Sequence, residues 1–188
     1  MKNLKISVLA IVATVSFTSC SSDDDNLVPV NEEEVITTLT ATFTPQGGGT
    51  AIVLKSQDLD GDGPDAPVIT VSGDFATGTT YTGTVNFLNE LANPVDNISE
   101  EVLEEGDDHQ IFFLQNGLGT FTYNDQDING NPIGLSFTYE ASETATNGDL
   151  TLVLRHDLNK TAEGVSNGDI TNAGGGTDAT ATFSINVN

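Results

Sequence analysis

The sequence predicts an all-β chain: a single antiparallel β-sandwich of immunoglobulin-like architecture with about nine strands, or alternatively an up-and-down β-barrel. Three observations point that way. Apolar and polar residues alternate with a period of two from 35 to 44 and again from 179 to 187. The composition is rich in turn formers, with 19 Gly and 6 Pro, and it lacks Trp altogether. A length of 188 residues with a 37% hydrophobic share suits one domain with a modest core.

At the start of the domain, Val35, Thr37, Leu39, Ala41 and Phe43 alternate with Ile36, Thr38, Thr40, Thr42 and Thr44. This sets an apolar face against a threonine face, as in a half-buried strand. The chain ends in the same way, with Ala179, Ala181, Phe183, Ile185 and Val187 opposite Thr180, Thr182, Ser184 and Asn186. Further strands are expected near 51 to 56, 68 to 73, 80 to 89, 109 to 115, 119 to 124, 133 to 141 and 149 to 156, each bounded by Gly, Pro, Asn or Asp. One helix is expected over 98 to 105, opened by a capping box of Asn97 and Glu100 and stopped by Gly106. Glu104 and Glu105 then stand at the end where the helix dipole disfavours negative charge. The triglycines at 47 to 49 and 174 to 176 read as turns, since neither is followed by the Lys of a phosphate-binding loop.

The first 34 residues follow a different logic. Lys2 and Lys5 precede an apolar run from Ile6 to Phe17. At about 12 residues the run is shorter than a membrane-spanning helix needs and matches the core of a signal peptide. Phe17-Thr18-Ser19-Cys20 resembles a bacterial lipobox, which implies cleavage after residue 19 and lipidation of Cys20, the only cysteine of the chain. Residues 21 to 34 (SSDDDNLVPVNEEE) are acidic and poor in apolar side chains, and read as an extended tether. The expected organisation is a signal peptide over 1 to 19, a lipidated Cys20 with tether over 20 to 34, and the β domain over 35 to 188. Ser-Ser-Asp-Asp-Asp after Cys20 resembles the export signal that sends Bacteroidetes lipoproteins to the outer face of the outer membrane.

The formal net charge is −23. Neutralising phosphates takes clustered Lys and Arg, so nucleic-acid binding is excluded as a function class. After cleavage only Lys55, Arg155 and Lys160 remain basic. The acids are clustered in the tether, at 58 to 65 and at 100 to 108.

Asp58-Leu59-Asp60-Gly61-Asp62-Gly63-Pro64-Asp65 places oxygens at positions 1, 3 and 5 and glycine at 6, as in the first half of an EF-type calcium loop. Position 12 is Ile69 where that loop has Glu, so Asp58, Asp60, Asp62 and Asp65 are either calcium ligands completed from elsewhere or a solvated acidic turn. Asp125, Asp127 and Asn129 repeat the 1, 3, 5 spacing with Gly130 at 6, but Asn129-Gly130 between two strands also reads as a hairpin turn. His156 shares the parity of Leu150, Leu152 and Leu154, and His109 opens a strand after the acids at 100 to 108. If those strands pair, both imidazoles lie at one end of the domain. They are then either structural histidines or transition-metal ligands. Gly164-Val165-Ser166-Asn167-Gly168 matches the nucleophile elbow of α/β hydrolases but sits in a polar stretch between strands, so no catalytic residue is assigned. Phe87, Phe112, Phe113, Phe121, Tyr123, Phe137 and Tyr139 fall mostly at alternating positions and are expected in the core.

The lipobox, the acidic tether, DLDGDGPDAP (58 to 67), EEGDDHQIFF (104 to 113), LRHDLNK (154 to 160) and NAGGGTD (172 to 178) together resemble a family of small flavobacterial surface lipoproteins. Its members often carry the label "type 1 periplasmic binding fold superfamily protein". That label implies two α/β lobes, whereas the strand pattern here predicts an all-β chain. No functional residues carry over from the family. The family is uncharacterised, and the leading expectation for this chain is a non-enzymatic binding module, lipid-anchored at the cell surface. Its expected partners are an outer-membrane transporter with a small molecule or glycan, or an adhesion target, with calcium as a structural cofactor. The alternative is a metal-dependent hydrolase using His109, His156 and the neighbouring carboxylates.

Overall fold

The computed structural model describes residues 34–61 and 63–188; the signal segment, Cys20 and the tether as far as residue 33 lie outside the described residues, as does Asp62. Among the described residues, alternation of apolar and polar side chains builds nine strands: β1 (Thr38–Pro45), β2 (Ile52–Gln57), β3 (Val68–Val71), β4 (Thr80–Leu88), β5 (His109–Leu114), β6 (Gly119–Tyr123), β7 (Ser136–Ala141), β8 (Thr146–His156) and β9 (Gly176–Val187). They form two antiparallel sheets, one ordered β3-β2-β1-β4-β7-β6 and the other β5-β8-β9. Each sheet has two free edges, so the fold is a sandwich and not a closed barrel. The partition of six strands against three differs from the four against three of an immunoglobulin constant domain.

The inner faces meet where the alternation predicts. Leu39, Ala41 and Phe43 of β1 face Leu150, Leu152 and Leu154 of β8 and Ala181, Phe183 and Ile185 of β9 in one core. Phe43 is its centre, in edge-to-face contact with Phe75, Phe137 and Tyr139 at centroid distances of 4.9, 5.2 and 5.6 Å. Gly83 of β4 lies against the Phe137 ring, where any β-carbon would collide with it.

The small sheet is covered on its other face too. Phe112 and Val153 point away from the main core into a second cluster with Leu158, Val165 and Ala173, supplied by the segment between β8 and β9. That segment carries two short 3-10 turns, Val165–Asn167 and Ile170–Asn172.

The expected helix forms as α1 (Ile98–Glu104), burying Ile98 and Val102, but its start differs from a capping box. The Asn97 side chain makes no bond to the helix backbone; it bonds Glu100 Oε1 through Nδ2 (2.9 Å) and accepts from Asn86 Nδ2 (3.0 Å). Anchorage to β4 takes the place of capping. Ser99 contributes to it, its Oγ accepting from the Phe87 backbone N–H at 2.7 Å.

Candidate metal centre

His109 and His156 are directly opposite across the β5–β8 ladder, with ring centroids 6.4 Å apart. They share the face of Ile111 and Leu154, the next inward pair, so both imidazoles sit at one end of the sandwich between the sheets. Two carboxylates meet them there. His109 Nε2 lies 3.4 Å from Glu34 Oε1 and 3.7 Å from Asp178 Oδ2, and Asp178 Oδ1 bonds His156 Nδ1.

Neither carboxylate was legible as a site residue. Glu34 falls in the expected tether, yet its side chain is only 9% exposed against His109. Strand alternation places Asp178 outward, between Thr177 and Ala179. The β8–β9 register shifts between Leu154 and Arg155, pairing Leu154 with Ala179 and Arg155 with Thr177. Asp178 is the extra residue of this bulge, and a bulge re-aims a side chain. It is turned inward until 1% of it is exposed.

The second triglycine has a role beyond turning the chain. A β-carbon on Gly175 would collide with the His156 carbonyl, and one on Gly176 would stand 2.5 Å from the His156 ring. Their absence lets β9 start flush against His156. Arg155, on the outward side, holds the loop by donating from Nε to Gly174 O (3.1 Å) and from Nη2 to Gly175 O (3.0 Å).

The orientation of His109 is set from the end of α1. Its Nδ1 bonds the Glu105 carbonyl at 3.1 Å, and a carbonyl only accepts, so Nδ1 carries a proton and Nε2 is the ring nitrogen that faces the acids. Among the described residues, Glu34 Oε2 and Asp178 Oδ2 are buried with no hydrogen-bond partner. Burial pushes the Glu34 carboxyl above the ordinary carboxylate range, with His109 opposing and the charges of Asp178, Glu101 and Glu105 adding to the rise. Among the described residues, Glu34, His109 and Asp178 are the only group whose donor atoms all lie within 4.8 Å of one another.

The other expected sites fare differently. Asp58 Oδ1 accepts from the Asp60 N–H and Asp60 Oδ2 from the Asp65 N–H, both at 3.3 Å, so this loop is held by its own backbone. In the second acidic loop the carboxylates already have partners. Asp125 accepts from Gly134 N–H (2.8 Å) and Ser136 N–H (2.9 Å), and Asp127 Oδ1 from Asn129 N–H (2.8 Å) and Asn131 N–H (2.9 Å). Asp127 Oδ2 pairs with Lys160 Nζ at 3.0 Å, so a lysine ammonium occupies the place a bound cation would take. Ser166 is exposed on a 3-10 turn between strands, without the strand-to-helix elbow its motif requires.

No family model matches the chain, and no curated protein or solved structure matches it either.

Proposed function

We propose that this chain is a surface-exposed outer-membrane lipoprotein, anchored through Cys20, whose β-sandwich acts as a non-enzymatic accessory that binds a small molecule or glycan for an uptake system. Two sequence features support the anchoring: the lone cysteine ends a signal-like apolar run, and an acidic segment follows it. An anionic tether is repelled by an anionic lipid surface, which favours projection of the domain.

The observation that carries the binding role is a pair of adjoining recesses of about 190 and 390 Å³ that share Phe121, Tyr123 and Asn167. Phe113, which stacks on Phe121 at 4.6 Å, lines the smaller recess with Gln115 and Thr120, so aromatic and polar side chains occur together there, as a small ligand requires. A surface-adhesion role would use the same anchor. A metal-dependent hydrolase on His109 and His156 is the lesser reading, because a catalytic metal keeps a position open to substrate and the His109 and Asp178 side chains are each 1% exposed.

The test is Cys20→Ala in the native host, read by fatty-acid labelling and by protease digestion of intact cells. The wild type incorporates label and is digested from outside; the variant takes up no label. Label on the variant, or a wild type resistant on intact cells and digested only after lysis, defeats the reading. Mild crosslinking then separates uptake, which recovers a transporter of the TonB-dependent kind, from adhesion, which does not.

A further inference from the structure

We infer that Glu34, His109 and Asp178 form a binding site for one divalent transition metal ion of the zinc class, which pins the start of the six-stranded sheet to both edges of the three-stranded sheet. The inference is independent of membrane anchoring and of the aromatic recesses. It stands on the donor set, its geometry and its unpaired atoms.

A zinc ion with bonds of about 2.0 to 2.1 Å in tetrahedral array holds neighbouring donors roughly 3.3 to 3.4 Å apart. The His109 Nε2 distances of 3.4 and 3.7 Å already approach that spacing. Metal-binding histidines commonly donate their other ring N–H to a carbonyl or carboxylate, which fixes the ring; here that acceptor is the Glu105 carbonyl. Asp178 is oriented the same way, with Oδ1 on His156 and Oδ2 turned toward His109 without a partner. Buried polar atoms are nearly always hydrogen-bonded, so Asp178 Oδ2, buried and unpartnered 3.7 Å from the imidazole nitrogen, together with the unpartnered Oε2 of the Glu34 carboxylate beside it, points to a missing electron-pair acceptor.

The donors select the metal class. Calcium takes six to eight oxygens, and this site offers three atoms of which one is an imidazole nitrogen, a set that suits zinc and its first-row neighbours. One divalent ion neutralises both carboxylates while His109 stays neutral. Burial of His109 and Asp178 makes this a structural centre. Its ligands come from far apart in the chain: Glu34 precedes β1, His109 opens β5 and Asp178 is the bulge of β9.

The experiment uses the full-length protein purified in detergent, stripped with chelator and titrated calorimetrically with zinc chloride, with cobalt(II) absorption as a second reading of the site. We expect one ion per chain, a tetrahedral cobalt spectrum and, at zinc about 100-fold above the dissociation constant, a melting temperature raised by roughly 5 to 11 °C. Glu34→Gln and Asp178→Asn should each weaken binding by at least about 10- to 100-fold, the range known for lost metal-site partners. Glu34 lies outside every strand, so its variant retains the wild-type circular dichroism and separates ligand loss from misfolding. Asp58→Asn with Asp60→Asn should leave zinc binding unchanged. Absence of stoichiometric zinc binding overturns the inference. Undiminished affinity in both ligand variants, or binding lost with the Asp58 and Asp60 changes instead, overturns it equally.

Discussion

Replacing Lys160 with methionine keeps most of the apolar stem and removes a buried cation. Lys160 Nζ is 3.0 Å from Asp127 Oδ2 and donates to the Gly106 carbonyl at 2.5 Å, with the lysine and aspartate side chains 3% and 1% exposed. Gly106 is itself held in place, since a β-carbon there would stand 2.6 Å from Ile133 Cδ1. The variant leaves a buried carboxylate without its counter-charge and a carbonyl without its donor. Breaking one side of a buried pair costs about 3 to 5 kcal/mol. At about 2 to 4 °C per kcal/mol for a domain of this size, the melting temperature should fall by roughly 6 to 20 °C. Thermal and urea unfolding by circular dichroism measure the loss.

A double-mutant cycle isolates the pair. Lys160→Met combined with Asp127→Asn should cost less than the two single changes summed, by about 1 kcal/mol or more, because no unpaired charge is left behind. Acid supplies a second handle on the same pair. Burial alone would raise the Asp127 pKa, but the Asn131 and Asn129 N–H groups and Lys160 outweigh it and hold the group below the ordinary range. A carboxylate lowered on folding adds stability above its unfolded pKa of about 3.9 and loses it as the pH falls through the lower folded value. The gap between wild type and Lys160→Met should therefore be full at neutral pH and close below about pH 4, as Asp127 takes up a proton in both. Burial lowers the Lys160 pKa against the pull of Asp127, the mark of a desolvation cost only partly offset. A cost below about 1 kcal/mol at neutral pH, or an equal cost in the Asp127→Asn background, refutes the reasoning.

Gly83→Ala should destabilise by about 1 to 3 kcal/mol in urea unfolding, since the new methyl meets the fully buried Phe137 ring and outweighs any gain in strand propensity; a neutral or stabilising effect would mean that the ring moves aside freely. The acidic loop at 58 to 65 is tested with calcium: if Asp58, Asp60 and Asp65 complete a shell, millimolar calcium raises the melting temperature of the wild type and not of Asp60→Asn. No heat and no shift in the wild type leave the loop a solvated turn held by its own backbone bonds.

The strands were legible because a half-buried sheet writes a period of two into the chain; β4 carries it from end to end, and β1, β8 and β9 carry it over most of their length. Placing His109 and His156 at one end of the domain needed only parity and an antiparallel pairing. Elsewhere local signals were outcompeted. Asn97 and Glu100 have the spacing of a capping box, yet Asn97 turns to Asn86 because β4 lies within reach. The loop after Asp125 has calcium spacing, but Lys160, 33 residues beyond Asp127, supplies its cation.

By itself the sequence determined the class of fold, the inward faces of β1, β8 and most of β9, and the acidity, because composition and short-range periodicity are properties of neighbouring residues. The division into six strands and three, and the company His109 keeps, were decided only in three dimensions. Glu34 reads as tether until the fold brings it against His109 at the start of β5, and Asp178 reads as an outward residue until a bulge against Arg155 turns it over. Both depend on pairings between segments more than 60 residues apart for Glu34 and more than 20 for Asp178. Contacts at such separations leave no period in the chain, and the carboxylates that complete the candidate centre emerge only when the sheets close over them.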